Sequence, residues 1–197
     1  MPPHIADGSF TRSMIVNHLQ TIFEGNDKVA IVFVYCNYKE QAQQTVSNLI
    51  ANLVKQMVQC HSRAVSDNIR SFYEHHQRDH TGPTLDQITG ALRSEIEAYS
   101  KVFVIVDGLD ECREDDGSRG KLLKLLRTLD GKVNLLVTSR NLPSIAQDFE
   151  ATKRLYIRAK DDDIRKYVEG RIASGPRHLK RLQETVVMRM IESTRGM

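Results

Sequence analysis

A chain of 197 residues with 40% hydrophobic and 27% charged side chains has the composition of ordinary globular material and the length for one domain with a substantial core. Its longest apolar run, VAIVFVYC at residues 29 to 36, is less than half the length that crosses a bilayer, and residues 1 to 30 hold no charged-then-apolar leader pattern, so the expectation is a cytoplasmic protein with no membrane partner. The net charge of +3 conceals an asymmetry: residues 151 to 197 carry 12 Lys and Arg against 6 Asp and Glu, residues 1 to 150 carry 16 against 19, and the basic character belongs to the tail.

TRSMIVNHLQTIF spaces Met14, Ile15, Leu19, Ile22 and Phe23 as a helix does, and EGND then breaks the pattern. KVAIVFVYCNY is β-branched and aromatic on both alternating faces, the pattern of a strand covered on both sides by helices. QTVSNLIANLVKQMV repeats apolar residues at Val46, Leu49, Ile50, Leu53, Val54 and Met57, an amphipathic helix that covers a sheet. Residues 60 to 83 are polar with weak periodicity and read as broken helix and loop, followed after TGPT by a helix bearing Leu85, Ile88, Leu92 and Ile96.

KVFVIVDGLDEC is a second buried strand, this one ending in acids. GSRGKLLKLLRTL is a helix, KVNLLVTSR a short buried strand, and TKRLYIR a last, weaker strand. DDDIRKYVEGRI opens a helix with three aspartates in its first turn, where the positive end of the helix dipole favours them. HLKRLQETVVMRMIES closes the chain as one more amphipathic helix. The alternation of strand and helix predicts an open parallel α/β sheet with helices on both faces.

Ligands of such sheets bind beyond the carboxyl ends of the strands. Asp107 comes first past the strand and is a candidate Mg²⁺ carboxylate, acting through the ion's waters on nucleotide phosphates. Gly108 lets the chain turn sharply, and Asp110 and Glu111 are candidate catalytic acids that orient or deprotonate an attacking water. The next strand leaves Thr138, Ser139 and Arg140 at the same rim, where an arginine can read a terminal phosphate.

Three cysteines, Cys36, Cys60 and Cys112, without CxxC spacing suggest neither a disulfide framework nor a zinc knuckle. The carboxylates beside Cys112 are expected to raise its thiol pKa and keep it inert. Basic residues from Arg165 to Arg195 are interleaved with acids and lack aromatic partners, a pattern that argues for a solvated face and against nucleic acid.

HLQTIF, VFVYCNY, VFVIVDGLDEC, LLVTSR and DDDIRKYV together resemble the NACHT class of signal-transducing STAND P-loop NTPases, and within it the nephrocystin-3-like N-terminal domains abundant in fungal receptor-like proteins. The resemblance runs over roughly residues 8 to 172. It implies Asp107 as the Mg²⁺ carboxylate of a Walker B pattern, water positioning by Asp110 and Glu111, Arg140 as the sensor arginine beside Ser139, and ATP or GTP with Mg²⁺ as cofactors. It also implies a P-loop strand between the sensor strand and the last strand. Members of the class switch from a closed ADP form to an oligomeric ATP form.

The phosphate loop itself is not found. G-x-x-x-x-G-K-[ST] converges backbone N–H groups and a lysine on phosphates, and no Gly-Lys in this sequence is followed by Ser or Thr. Counting back from His18 by the family's spacing puts Ser9 in the hydroxyl slot with no lysine before it. Losing two or three charge-assisted contacts costs on the order of 5 kcal/mol, or roughly three to four decades in nucleotide affinity.

The expected architecture is a P-loop-like open parallel sheet that lacks the P-loop strand, over residues 1–172, with a helical extension over 173–197. The expected function is a nucleotide-dependent signalling switch module, truncated before or within its P-loop and deficient in hydrolysis. The alternative is a non-catalytic interaction fragment that docks on full-length relatives; protein partners or self-association are expected in either case.

Overall fold

The computed structural model describes residues 9–60, 65–129, 131–157, 160–173 and 182–195. They divide into two compact units, Met1–Asp148 and Phe149–Met197. In the first, β1 (Val29–Tyr35), β2 (Lys101–Asp107) and β3 (Val133–Val137) form a parallel sheet in the order β1-β2-β3. The register pairs Tyr35 with Asp107 and Val106 with Val137, so all three strands end at one rim.

The alternation expected of a doubly covered strand is what the backbone delivers. On one face Val16 of α1 (Ser9–Ile22) packs with Ile31 and Ile105, with Leu19, Phe23, Phe33 and Phe103 around them. Helix α1 meets the sheet through Val16, Leu19 and Phe23 rather than through the whole expected stripe, and Met14 and Ile22 face solvent. Ala30, Val32, Val34, Val102 and Val104 point to the other face and are buried with Ile50, Leu53 and Met57 of α2 (Val46–Gln59). Helix α2 is capped by Thr45, whose hydroxyl accepts from the Asn48 N–H, and packs against α4 (Leu85–Glu97), which opens on a Thr84/Gln87 capping box.

Residues 60 to 83 were expected to be irregular, and they contain a helix, α3 (Asp67–Arg78). Ser66 caps it, Asp67 lies in its first turn and His75, His76 and Arg78 in its last, a charge arrangement that suits the helix dipole. Helix α3 buries no side chain, which is why hydrophobic periodicity did not reveal it. The Ser66 hydroxyl ties it to α4 through Glu95, at 2.6 Å. Helix α5 (Ser118–Arg127) follows Gly117, whose φ of 72° suits only glycine well. A short α6 (Pro143–Asp148), with Pro143 at its first position, was not anticipated.

The two edges of the sheet are treated differently. In β1 the outward backbone groups are taken by side chains: Gln56 accepts from the Phe33 N–H at 2.9 Å and donates to the Phe33 carbonyl at 2.7 Å, Gln44 donates to the Tyr35 carbonyl at 2.8 Å and accepts from Asn37, and the Cys60 thiol donates to the Ile31 carbonyl. One glutamine amide thus stands in for a peptide of a missing neighbour strand. Strand β3 was expected to be buried. It is half-buried, with Leu136 40% exposed, because among the described residues nothing pairs with its outer edge.

The last expected strand, TKRLYIR, does not form: residues 153–157 have no sheet partner, and Leu155, Tyr156 and Ile157 are 84%, 64% and 78% exposed. Strand propensity without a neighbour to pair the backbone does not make a strand. In the second unit α7 (Asp161–Ala173) packs on α8 (Gln183–Arg195) through Ile164, Val168, Ile172, Val187 and Ile191, and Arg165 forks onto both carboxylate oxygens of Glu184. The three expected aspartates open α7. No helix of the described residues is long and apolar enough to cross a membrane.

Two outcomes test this arrangement. Gln56→Ala strips two hydrogen bonds from Phe33 and should lower stability by about 1 to 2 kcal/mol in urea unfolding, with faster amide exchange at Phe33. In the unmodified chain, amides of Phe103 to Val106 should exchange slowly and those of Leu155 to Ile157 early. Equal protection of both segments in a monodisperse monomer would contradict the open β3 edge and the unpaired 153–157 segment.

Candidate functional site

The acidic rim is built by the turn that follows β2. Gly108 takes φ 69°, ψ 42°, a left-handed conformation that reverses the chain directly after Asp107 and starts the short 3-10 helix Leu109–Glu111. Thr138, just past β3, holds this turn from the side. Its hydroxyl donates to Asp107 Oδ1 at 2.5 Å and accepts from the Gly108 N–H at 3.1 Å. Its N–H donates to the Val106 carbonyl and its carbonyl accepts from the Leu109 N–H, each at 2.9 Å.

This clamp sets Asp110 against Arg140. Asp110 accepts from the Arg140 N–H at 3.0 Å through one oxygen and from the guanidinium Nε at 2.6 Å through the other. The Asp110 side chain is 5% exposed while that of Arg140 is 76% exposed. Burial pushes the Asp110 carboxyl up, but the side-chain and backbone hydrogen bonds from Arg140 and its charge outweigh this and hold it below the usual carboxylate range. The hydrogen bond to Asp110 likewise raises Arg140.

Glu111 is held from the β1 side: one carboxylate oxygen accepts from the Tyr38 N–H at 3.2 Å, and its carbonyl accepts from Gln41 at 2.9 Å. The Ser139 hydroxyl turns back onto the Arg140 carbonyl at 2.5 Å. Asp107, Asp110, Glu111, Ser139 and Arg140 therefore share one rim, as the sequence placed them. Ser9 opens α1 and its side chain lies outside the described residues, as do residues 1–8, where the phosphate loop was sought.

The oxygens at the rim suit a hard cation. Among the described residues, no group of three or more His, Cys, Asp or Glu side chains is placed to hold a metal. Buried Asp107, already accepting from Thr138, offers one carboxylate, which fits an Mg²⁺ carried largely by its waters and a nucleotide rather than a site made of protein alone. A cleft of about 440 Å³ lies elsewhere, along β1, lined by Phe23, Ile31, Phe33, Gln56 and Cys60. Gln56 and Cys60, two of its polar groups, are engaged on the β1 edge.

Thr138 was named at the rim by its position but not as the residue that orders it; a β-branched hydroxyl at a strand end is the signal. Cys112 overturns its expectation. A hydrogen bond from the Cys36 thiol lowers the Cys112 thiol, with help from Arg119, and this outweighs its burial and the nearby Asp116. The same bond and burial raise Cys36.

Residues 9–140 match the family described as nephrocystin 3, N-terminal. The chain belongs to that family. The family match runs from the first helix to Arg140 and so takes in the whole acidic rim, while α7 and α8 fall outside it. No curated protein matches the chain.

The Asp110–Arg140 pair gives a pH signature. Because the folded pKa of Asp110 is lowered, the pair contributes its full stability above the unfolded value of about 4 and loses it as pH falls toward the folded value. The difference in urea midpoint between wild type and Arg140→Ala should be constant from neutral pH to about pH 4 and shrink below it. A difference unchanged to about pH 2 would show that the contact is not ionic.

Proposed function

We propose that this chain is a nucleotide-dependent signalling switch module of the STAND/NACHT kind, with little hydrolytic capacity in the 197-residue form. The observation that carries the reading is the Asp110–Arg140 pair spanning two adjacent strand ends beside Asp107. Family membership supports it. A pair of this kind can separate when a phosphate competes for the guanidinium, and so can report what occupies the rim.

In this reading Asp107 holds the waters of an Mg²⁺, which when bound with nucleotide neutralises phosphate charge. Glu111, oriented by the Tyr38 N–H, positions the attacking water. Asp110 is occupied by Arg140 and serves as the latch rather than as a free base. Arg140 reads the terminal phosphate. Ser139 has its hydroxyl on a backbone carbonyl and must rotate to reach a ligand.

The sequence carries no lysine-bearing phosphate loop, and the outer edge of β3 is unpaired among the described residues. Both features favour, as a second reading, a chain that works by docking a strand of a full-length relative and binds no nucleotide alone. Calorimetric titration distinguishes the starting points: MgATP should bind the chain with a dissociation constant no tighter than roughly millimolar. Micromolar binding would reject the account of the missing loop. On a version carrying a grafted phosphate loop, Asp107→Ala should abolish Mg²⁺-dependent binding, whereas Glu111→Gln should mainly slow hydrolysis. Equal loss of binding in both would reject this division of roles, and no binding in the graft would favour the docking reading.

A further inference from the structure

The end of β1 and the turn after β2 bring together two thiols that are remote in sequence. Cys36 follows the Tyr35–Asp107 register pair, and its N–H donates to the Asp107 carbonyl at 2.9 Å. Cys112 closes the 3-10 turn, with its N–H on the Leu109 carbonyl at 3.1 Å. Both cysteines are free and buried, at 0% and 5% exposure, and their thiols hydrogen-bond to each other.

The two segments are cross-braced on either side of that contact. The Tyr38 N–H and the Gln41 amide, both just after Cys36, bond to Glu111, the residue before Cys112. Thermal motion therefore brings the sulfurs toward each other rather than apart. Cysteines that merely fill a core need no such partner. Residues 113–117, following Cys112, are all exposed, so the contact lies one residue beneath the surface.

We propose that Cys36 and Cys112 form a redox-active dithiol that a peroxide converts to a disulfide, joining the end of β1 to the acidic turn. Cys112, the thiol nearer the surface, attacks one peroxide oxygen; the O–O bond breaks, the sulfur becomes a sulfenic acid, and the departing hydroxide leaves as water with the thiol proton. Cys36 sulfur then displaces the sulfenic hydroxyl, which leaves as a second water with the Cys36 proton. Two thiols are oxidised, one peroxide is reduced, and the S–S bond replaces two S–H bonds. The product fixes Glu111 against Tyr38 covalently and limits how far the acidic turn can move. It requires no nucleotide, so it stands or falls apart from the switch reading.

The experiment uses the full folded chain and hydrogen peroxide at low molar excess. After the oxidant is quenched, the chain is denatured, its free thiols are alkylated, and it is digested without reduction. The expected result is a Cys36–Cys112 linked peptide pair, a chain mass lower by two hydrogen atoms before alkylation, alkylated Cys60, and full reversal by dithiothreitol. The link should persist in Cys60→Ser, which removes the exposed competing thiol. In Cys36→Ser the link should vanish and a sulfenic acid at Cys112 should be trapped by dimedone. If that variant does not fold, the wild-type map still decides. Cys36 and Cys112 both recovered alkylated after peroxide treatment, or a link that instead involves Cys60, would overturn the proposal.

Discussion

Thr138 makes four hydrogen bonds to the last residues of β2 and the turn beyond it, two through its backbone and two through its hydroxyl. Everything at the rim depends on that residue. It fixes where β2 stops, holds Gly108 in the left-handed conformation, aims Asp107, and sets the spacing at which Asp110 and Arg140 meet. A valine of the same shape would keep the strand and lose the hydroxyl. Asp107 and the Gly108 N–H would then each lack a partner in a site where burial makes that costly.

The sheet is finished on one side and unfinished on the other. Helix α2 and the loop before it supply Gln44, Gln56 and Cys60 to the outer groups of β1, so further growth there would first have to displace them. Strand β3 has no equivalent cover among the described residues, and it is the strand that carries the residues facing Asp107 and Asp110. Whatever pairs with β3 would lie beside the rim. Recruitment of a strand and occupancy of the site are thereby linked by position.

Most of this fold was legible because the strands are doubly covered. β-branched runs at 29–35 and 101–107 admit few other readings, and the strong stripe of α2 names the face it covers. The rim was legible for a different reason: Asp107, Asp110, Glu111 and Arg140 follow directly on strand ends, and a parallel sheet gathers its strand ends together. Helix α3 escaped because it buries nothing, and RLYI was misread because strand propensity says nothing about whether a neighbour exists. The Cys36–Cys112 contact had no signature in spacing, since only the β1–β2 register creates it.

That register also bears on the order of folding. Joining Val102 to Val133 closes a loop through one helix, whereas joining Val29 to Lys101 encloses three helices and more than twice as much chain. The longer loop carries the larger entropy penalty, and α2 must already be seated before its glutamines can cap β1. The β2–β3 pair, with Thr138 and the acidic turn, is therefore the half expected to nucleate. The chain would assemble its rim first and close its sheet afterwards, leaving β1 the last strand to arrive and the first to leave under load.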